Sequence, residues 1–480
     1  MRSLFRDTLI YGIAAAVSRG LSLLVLPIYT RMLAPVDYGA LDMITVAASL
    51  AMLIVALEIG QALARFHGEV EGTDSRRRMA STALWFAITA YSAVLAVALI
   101  YARPLSYWLF GSVMETSFRI GAAFIAMNGV FYLMQNQLRV ELRSASYAVL
   151  ALVYAFTTIG LGLLLGYWLD FGLNGVLCAQ LLAATLSVSV GFWLLRRSYG
   201  LCLDTGMLRR MLRFSAPLVP SGLATFLTVY ANRLLLKDLI GLEAVGLFGV
   251  ATRLASIITL LIFGLQVAIT PLIYAHYREA ETPPRLARIF EGVLALALAL
   301  CLSLGLFADE LLAVFASPGY AAAGNLIMPL APALLFSQLY IFFPGIAISY
   351  KMHLQLVIFA ITGGASLLFN WLLISEFGLP GAVFATLLVS SLFLIMWIPV
   401  SQRFYPLPIS WAAVGCLGIL FIAAALVGWS ERYLDLHIAM SFLVRLILLG
   451  IFGGSAFALG LIDIRTLRRL ASRHRPDNMA

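Results

Sequence analysis

Two arginines stand in stretches of the sequence where a charge is expensive. Arg19 lies eleven residues into an apolar run that begins near residue 8, and Arg253 eight residues into another that begins near residue 245. At about 1.5 Å of helix rise per residue, both fall near the middle of a hydrocarbon layer about 30 Å thick. An ionised group at that depth must be paired or wet, so it is a functional candidate by default. The guanidinium fork stays charged when desolvated and meets phosphate or pyrophosphate bidentately. One arginine from each half of the chain could therefore grip a single anionic ligand. The alternative is that each forms a salt bridge, to Asp42 or Glu58, that only holds the halves together.

Other polar residues interrupt the same kind of run. Asp42 and Glu58 sit toward opposite ends of the stretch 39–64, and Glu58, Gln61 and Arg65 follow i, i+3, i+7 spacing on one helix face. That stripe either lines the mouth of a cavity or pairs internally. Asp42 either closes a gate with Arg19 or Arg31, or is a solvated interfacial acid. Glu291 and His276 are candidates for proton uptake in ion coupling, and both also lie close enough to run ends to be ordinary interfacial groups. Asn128 and Gln135 share a face in an amide-rich run and suit hydrogen bonds to a sugar or to a neighbouring helix. Asn232-Arg233 closes its run, where snorkelling accounts for it, and Arg445 either pairs or reaches outward.

The elements that must carry these residues are membrane helices. The composition is 62% hydrophobic and 11% charged, far from the quarter-charged average of soluble domains. Apolar stretches long enough to span fall near 8–30, 39–64, 79–101, 117–138, 145–168, 174–195, 214–236, 245–270, 287–307, 326–347, 355–375, 382–400, 411–430 and 439–462. The sequence thus predicts an all-α polytopic membrane protein of about fourteen transmembrane helices. With the N-terminus inside, 23 of the 32 Lys and Arg residues fall in inner segments and five in outer ones. Both termini are then cytoplasmic. The net charge of +9 follows from that asymmetry and from anionic inner-leaflet lipid, and calls for no nucleic-acid partner. The basic start of the chain does not read as a cleaved signal peptide, because its apolar run continues past Arg19 to Pro27.

The chain is internally duplicated. Asp170-Phe171-Gly172-Leu173-Asn174-Gly175 is echoed 206 residues later by Glu376-Phe377-Gly378-Leu379-Pro380-Gly381. At nearly the same offset, Arg31, Leu33 and Asp37 precede Lys237, Leu239 and Glu243, and Gly39 precedes Gly246 by 207. Six spans per copy relate the copies by a pseudo-twofold along the membrane normal, the build of many secondary transporters. The expected domains are an N-terminal lobe, 1–200 (spans 1–6), a C-terminal lobe, 201–410 (spans 7–12), with its basic linker, and 411–480, two extra spans and a tail. The linker 196–213 is either an amphipathic segment on the inner surface or simply a topology signal.

No phosphate loop, His-Glu-x-x-His, Gly-x-Ser-x-Gly or clustered metal-ligand pattern occurs, so no catalytic residue, cofactor or metal is expected. Cys178, Cys202, Cys301 and Cys416 are widely spaced and read as packing residues. Without a nucleotide site, transport is driven by gradients or by the membrane potential.

The run YGIAAAVSRGLSLLVLPIYTRMLAPVDYGALDMITVAASL with LEIGQALARF, and the second-copy run FSAPLVPSGL with NRLLLKDLIGLEAVGLFGVATRLA, resemble the polysaccharide-transporter branch of the multidrug/oligosaccharidyl-lipid/polysaccharide exporters. The resemblance implies a non-enzymatic O-antigen or exopolysaccharide repeat-unit flippase in the bacterial inner membrane. Its substrate would be undecaprenyl-pyrophosphate-linked oligosaccharide, and glycosyltransferases and a polysaccharide polymerase would be the candidate protein partners. Related lipid II flippases place arginines in a central cavity and an acid at the outer part of span 2, which Arg19, Arg253 and Asp42 match in position. No basic residue precedes Arg65 within span 2 here, a departure from that site. In those relatives spans 13 and 14 form a groove for the polyprenyl tail. The alternatives are a cation-coupled multidrug exporter of the same fold, whose cavity would be acidic and aromatic, and an integral membrane glycan polymerase or ligase.

Overall fold

The computed structural model describes residues 25–431 and 437–461, together with Gly20 and Leu23. Twenty α-helices run through the described residues, here numbered α1 to α20. They are α1 (Leu26–Met32), α2 (Pro35–Ile54), α3 (Ile59–His67), α4 (Thr73–Ile100), α5 (Ala102–Phe110), α6 (Glu115–Val140), α7 (Ser144–Leu161), α8 (Gly172–Leu194), α9 (Thr205–Ser215) and α10 (Val219–Leu239). There follow α11 (Leu242–Ala255), α12 (Ile257–His276), α13 (Thr282–Leu306), α14 (Ala308–Phe315), α15 (Gly324–Phe336), α16 (Gly345–Ile348), α17 (Met352–Phe377), α18 (Leu379–Phe404), α19 (Trp411–Glu431) and α20 (Ile438–Ala458). Among the described residues, thirteen helical segments are long and apolar enough to cross a membrane. They coincide one for one with the second to fourteenth expected spans; the first, near 8–30, lies mostly outside the described residues.

Two of those spans are broken where the sequence suggests continuity. The expected span 39–64 is α2 followed by α3, and between them Leu57 and Glu58 adopt left-handed φ values of 48° and 54°. Such a backbone costs about 1–2 kcal/mol per non-glycine residue and ends the helix. The expected span 245–270 divides into α11 and α12 at Ser256, which puts Arg253 in the last turn of α11.

The duplication explains the close crossing of α2 and α11. A Cβ on Gly39 would strike the Leu242 carbonyl oxygen, and one on Gly246 would strike the carbonyl oxygen of Pro35. Pro35 and Gly39 precede Leu242 and Gly246 by the same 207 residues, so the contact between α2 and α11 is its own image under the repeat. A local twofold axis therefore passes between the two glycines, whose missing side chains allow backbone to touch backbone. We expect Gly39→Ala or Gly246→Ala to lower stability by about 2–3 kcal/mol through overpacking. Gly264→Ala, whose Cβ would meet nothing within 4 Å, should be close to neutral. Thermal unfolding in one detergent compares the three.

The repeated Phe-Gly-Leu-x-Gly turn has a similar backbone logic. Gly172 and Gly378 take φ of +51° and +63°, open to glycine at little cost, and start α8 and α18. Gly175 and Gly381 then lie against the carbonyls of Leu165 and Leu373, closing each hairpin on itself.

The chain forms two compact units. The first comprises Met1–Arg253, Leu312–Ala323 and Gln355–Val389, and the second Leu254–Leu311, Gly324–Leu354 and Ser390–Ala480. A large core of the first unit gathers Ile59, Phe66, Met79, Leu84, Tyr91 and Met134 from α3, α4 and α6. In the second unit Trp397 donates to the Phe343 carbonyl at 3.2 Å, and Ser401 packs against Gly345, where α16 begins.

Candidate functional site

The buried charges of the first unit collect where α2, α10 and α11 meet. Tyr38 and Asp42 are four residues apart and so share one face of α2. The Asp42 carboxylate accepts a hydrogen bond from Arg233 Nε at 2.8 Å, and both side chains are only 11% exposed. Arg233 is held by more than charge. Its backbone N–H and its Nη1 donate to Asn232 Oδ1 at 2.8 and 3.2 Å, and its guanidinium lies over the rings of Phe248 and Tyr230 at 5.2 and 5.7 Å. Asn232 in turn donates to Thr386 on α18 at 3.2 Å.

One helical turn away on α2, the Tyr38 ring carries the second guanidinium. Arg253 stands 5.4 Å from the ring centroid and lies within electrostatic reach of Asp42 and Tyr29. Tyr320 packs edge-on against Tyr38 at 5.9 Å and donates its hydroxyl to the Leu33 carbonyl at 2.9 Å. The Tyr38 hydroxyl is buried and has no hydrogen-bond partner among the described residues. The cluster is therefore an ion pair sealed by aromatic faces, with an arginine on a tyrosine beside it. Chemically it can hold an anion and exchange ion pairs; it offers no nucleophile activated by a base.

The structure sorts the sequence candidates. Arg19 lies outside the described residues. Asp42 is neither solvated nor paired with Arg31: its partner is Arg233, and Arg31 is exposed in the last turn of α1. Arg233 is not a snorkelling residue at a run end, because α10 packs against α2 and leaves it a carboxylate rather than water as its nearest partner. The expected Glu58, Gln61, Arg65 stripe loses its first member to the left-handed break ahead of α3. Gln61 stays tied to Glu58 through the backbone, its N–H donating to the Glu58 carbonyl at 2.9 Å, while Arg65 turns to Glu69 at 3.7 Å. Asn128 is buried in α6, and its neighbours in the amide run serve the protein: Asn136 donates to the Gly60 carbonyl at 2.7 Å and Gln137 to Glu141 at 2.6 Å.

In the second unit, Glu291 is buried on α13 and accepts the Ser410 N–H at 2.7 Å, directly ahead of α19. A carboxylate there satisfies a backbone donor at a helix start and complements the helix dipole. Arg445 pairs twice, with Glu431 at 3.1 Å and Glu310 at 2.6 Å. No group of three or more His, Cys, Asp or Glu side chains is arranged to hold a metal ion among the described residues. Sequence reasoning missed the Asp42–Arg233 pair; the only hint was an intramembrane acid and an intramembrane arginine 191 positions apart.

A family model described as polysaccharide biosynthesis protein matches residues 4–275. The lipid II flippase MurJ in an inward closed conformation is similar in structure, with a TM-score of 0.69 and 14% identity over 95% of this chain and all of that one. An inward-facing multidrug resistance MATE family transporter of the MOP superfamily aligns with a TM-score of 0.65 and 18% identity, over 80% of this chain and 94% of that one. A MOP superfamily transporter from Pyrococcus furiosus, described by a binding pocket of reverse polarity, gives a TM-score of 0.58 and 18% identity, over 83% and 95%. None of the curated proteins matches the chain in sequence.

Proposed function

The chain belongs to the polysaccharide biosynthesis protein family and has the fold of MOP-superfamily transporters, and from that premise we propose that it is a flippase for lipid-linked glycan. It would carry undecaprenyl-pyrophosphate-linked repeat units from the cytoplasmic to the outer leaflet of a bacterial inner membrane by alternating access. The observation that carries the reading is Arg253, a permanent cation at the end of α11 whose guanidinium faces Tyr38. A pyrophosphate moving through a low-dielectric interior needs such a partner, and a drug exporter for cations does not.

The duplication supports a second cation opposite the first. Arg253 and Arg19 stand 207 residues after Val46 and before Phe226, and Val46 and Phe226 pack in one apolar cluster with Leu53. Through the repeat, Arg19 and Arg253 are the sequence counterparts of that touching pair, which supports assigning both to one ligand. In this reading the two arginines hold the pyrophosphate, and Glu58, Gln61 and Asn128 are the groups that meet the sugars. The polyprenyl chain stays in lipid beside spans 13 and 14. Asp42, with Arg233 as its partner, acts at the gate.

The direct test is genetic and chemical. Deletion in the source organism should trap lipid-linked oligosaccharide on the inner leaflet, and the wild-type chain or a flippase of matched specificity should release it. Unpolymerised units accumulating on the outer face would instead favour a polymerase. Unchanged surface glycan with lost drug efflux would favour an exporter.

A further inference from the structure

The helix that links the sixth and seventh spans is docked on one face and bare on another. The carboxylate of Asp204 caps α9 by accepting the Met207 N–H at 2.9 Å. Met211 and Ser215 are buried, Met207 and Phe214 pack against the core formed with α3 and α4, and Leu208 and Leu212 touch that core while staying partly exposed. The docking is sealed by a crossed pair of cations and rings. Phe66 meets Phe214 edge-on at 5.7 Å, Arg210 lies over Phe66 at 4.9 Å, and Arg65 lies over Phe214 at 4.8 Å. Glu69 serves both arginines, at 3.7 Å to Arg65 and 3.4 Å to Arg210.

That arrangement consumes Arg65 and Arg210 and leaves Arg209 and Arg213. The two are exposed, one helical turn apart on the same face, and make no ion pair or hydrogen bond among the described residues. Leu208, Leu212 and Thr205 line a shallow groove beside them. α9 runs through a single 3₁₀ turn into α10, and the 35-residue segment Thr205–Leu239 that they form is longer than a hydrocarbon layer of about 30 Å requires, which leaves its arginine-bearing start for the headgroups.

We propose that the bare face of α9 is a binding site for an anionic phospholipid, its headgroup phosphate held by Arg209 and Arg213 and its acyl chain along Leu208 and Leu212. The leaflet is the cytoplasmic one by the distribution of Lys and Arg, and the site stands whatever substrate the transporter carries. Two arginines at helical-turn spacing supply charge-assisted donors to phosphate, and the leucines supply the apolar strip that separates a lipid from a free anion. Because α9 is clamped to α3, a bound lipid also steadies α3 beyond the left-handed break at Leu57 and Glu58.

The test uses the full chain in nanodiscs of phosphatidylethanolamine with increasing phosphatidylglycerol, read by lipid retention in native mass spectrometry and by melting temperature. Wild type should retain phosphatidylglycerol and melt higher as its fraction rises. Arg209→Gln with Arg213→Gln should bind it about fivefold more weakly per arginine at low salt. The double variant should melt as wild type does in phosphatidylethanolamine alone, which separates lost lipid from lost folding. Arg209→Lys with Arg213→Lys should keep most of the binding, and Arg288→Gln, an exposed charge elsewhere, should keep all of it. Equal retention by the double Gln variant, or equal loss in Arg288→Gln, would overturn the proposal. So would retention of inorganic pyrophosphate but not of phosphatidylglycerol.

Discussion

Arg253→Ala is expected to cut glycan delivery to the outer face by about two orders of magnitude while the protein still inserts and folds. The size follows from the chemistry. A charge-assisted, bidentate contact between guanidinium and pyrophosphate contributes about 3 kcal/mol, and every 1.4 kcal/mol or so is a factor of ten. Arg253→Lys should fall between the two, because the ammonium keeps the charge and loses the fork. The packing cost of Arg253→Ala is a separate matter, since the side chain also covers the Tyr38 ring. Melting temperature and membrane abundance, measured beside delivery, separate the two effects. Delivery at wild-type levels from a well-inserted Arg253→Ala protein would remove Arg253 from the substrate site.

How much of this was legible in the sequence depends on the range of the interaction involved. The spans were legible, because an apolar run is local and the bilayer sets its length; thirteen of them reappear as helices. The Phe-Gly-Leu-x-Gly turns were legible for the same reason, with glycine at the position that needs a positive φ. The α2/α3 break was not. Val55-Ala56-Leu57-Glu58 contains no glycine, proline or asparagine, so only tertiary packing distinguishes it from a continuing helix. The duplication made Gly39 and Gly246 visible as equivalents, yet gave no sign that the two touch each other. The ion pairs were the least legible. Span 2 carries an acid with several arginines in reach by depth alone, and depth does not choose between Arg31 and Arg233. The choice is made by which helices lie side by side, information held in long-range packing.

Asp42→Asn tests that choice most sharply. The substitution keeps the volume and removes the charge, which leaves the Arg233 guanidinium buried with only Asn232 and two aromatic faces to compensate it. Breaking a buried pair from one side costs about 3–5 kcal/mol, most of it the penalty of an uncompensated charge. Arg233→Gln should cost a similar amount from the other side. Removing both charges together is different in kind: Asp42→Leu with Arg233→Met replaces the pair by apolar groups, and the double variant should recover most or all of the wild-type melting temperature. The cycle of Asp42→Leu, Arg233→Met and the double variant that combines them therefore reports a strong coupling if the pair is intact, and additivity if it is not. Measuring glycan delivery on the same four proteins then separates a tie from a gate. A pair that only holds α2 to α10 predicts that the double variant regains delivery along with stability. A pair that must open and re-form during the cycle predicts a stable double variant that no longer delivers, because an apolar seal has no alternative partners to exchange into.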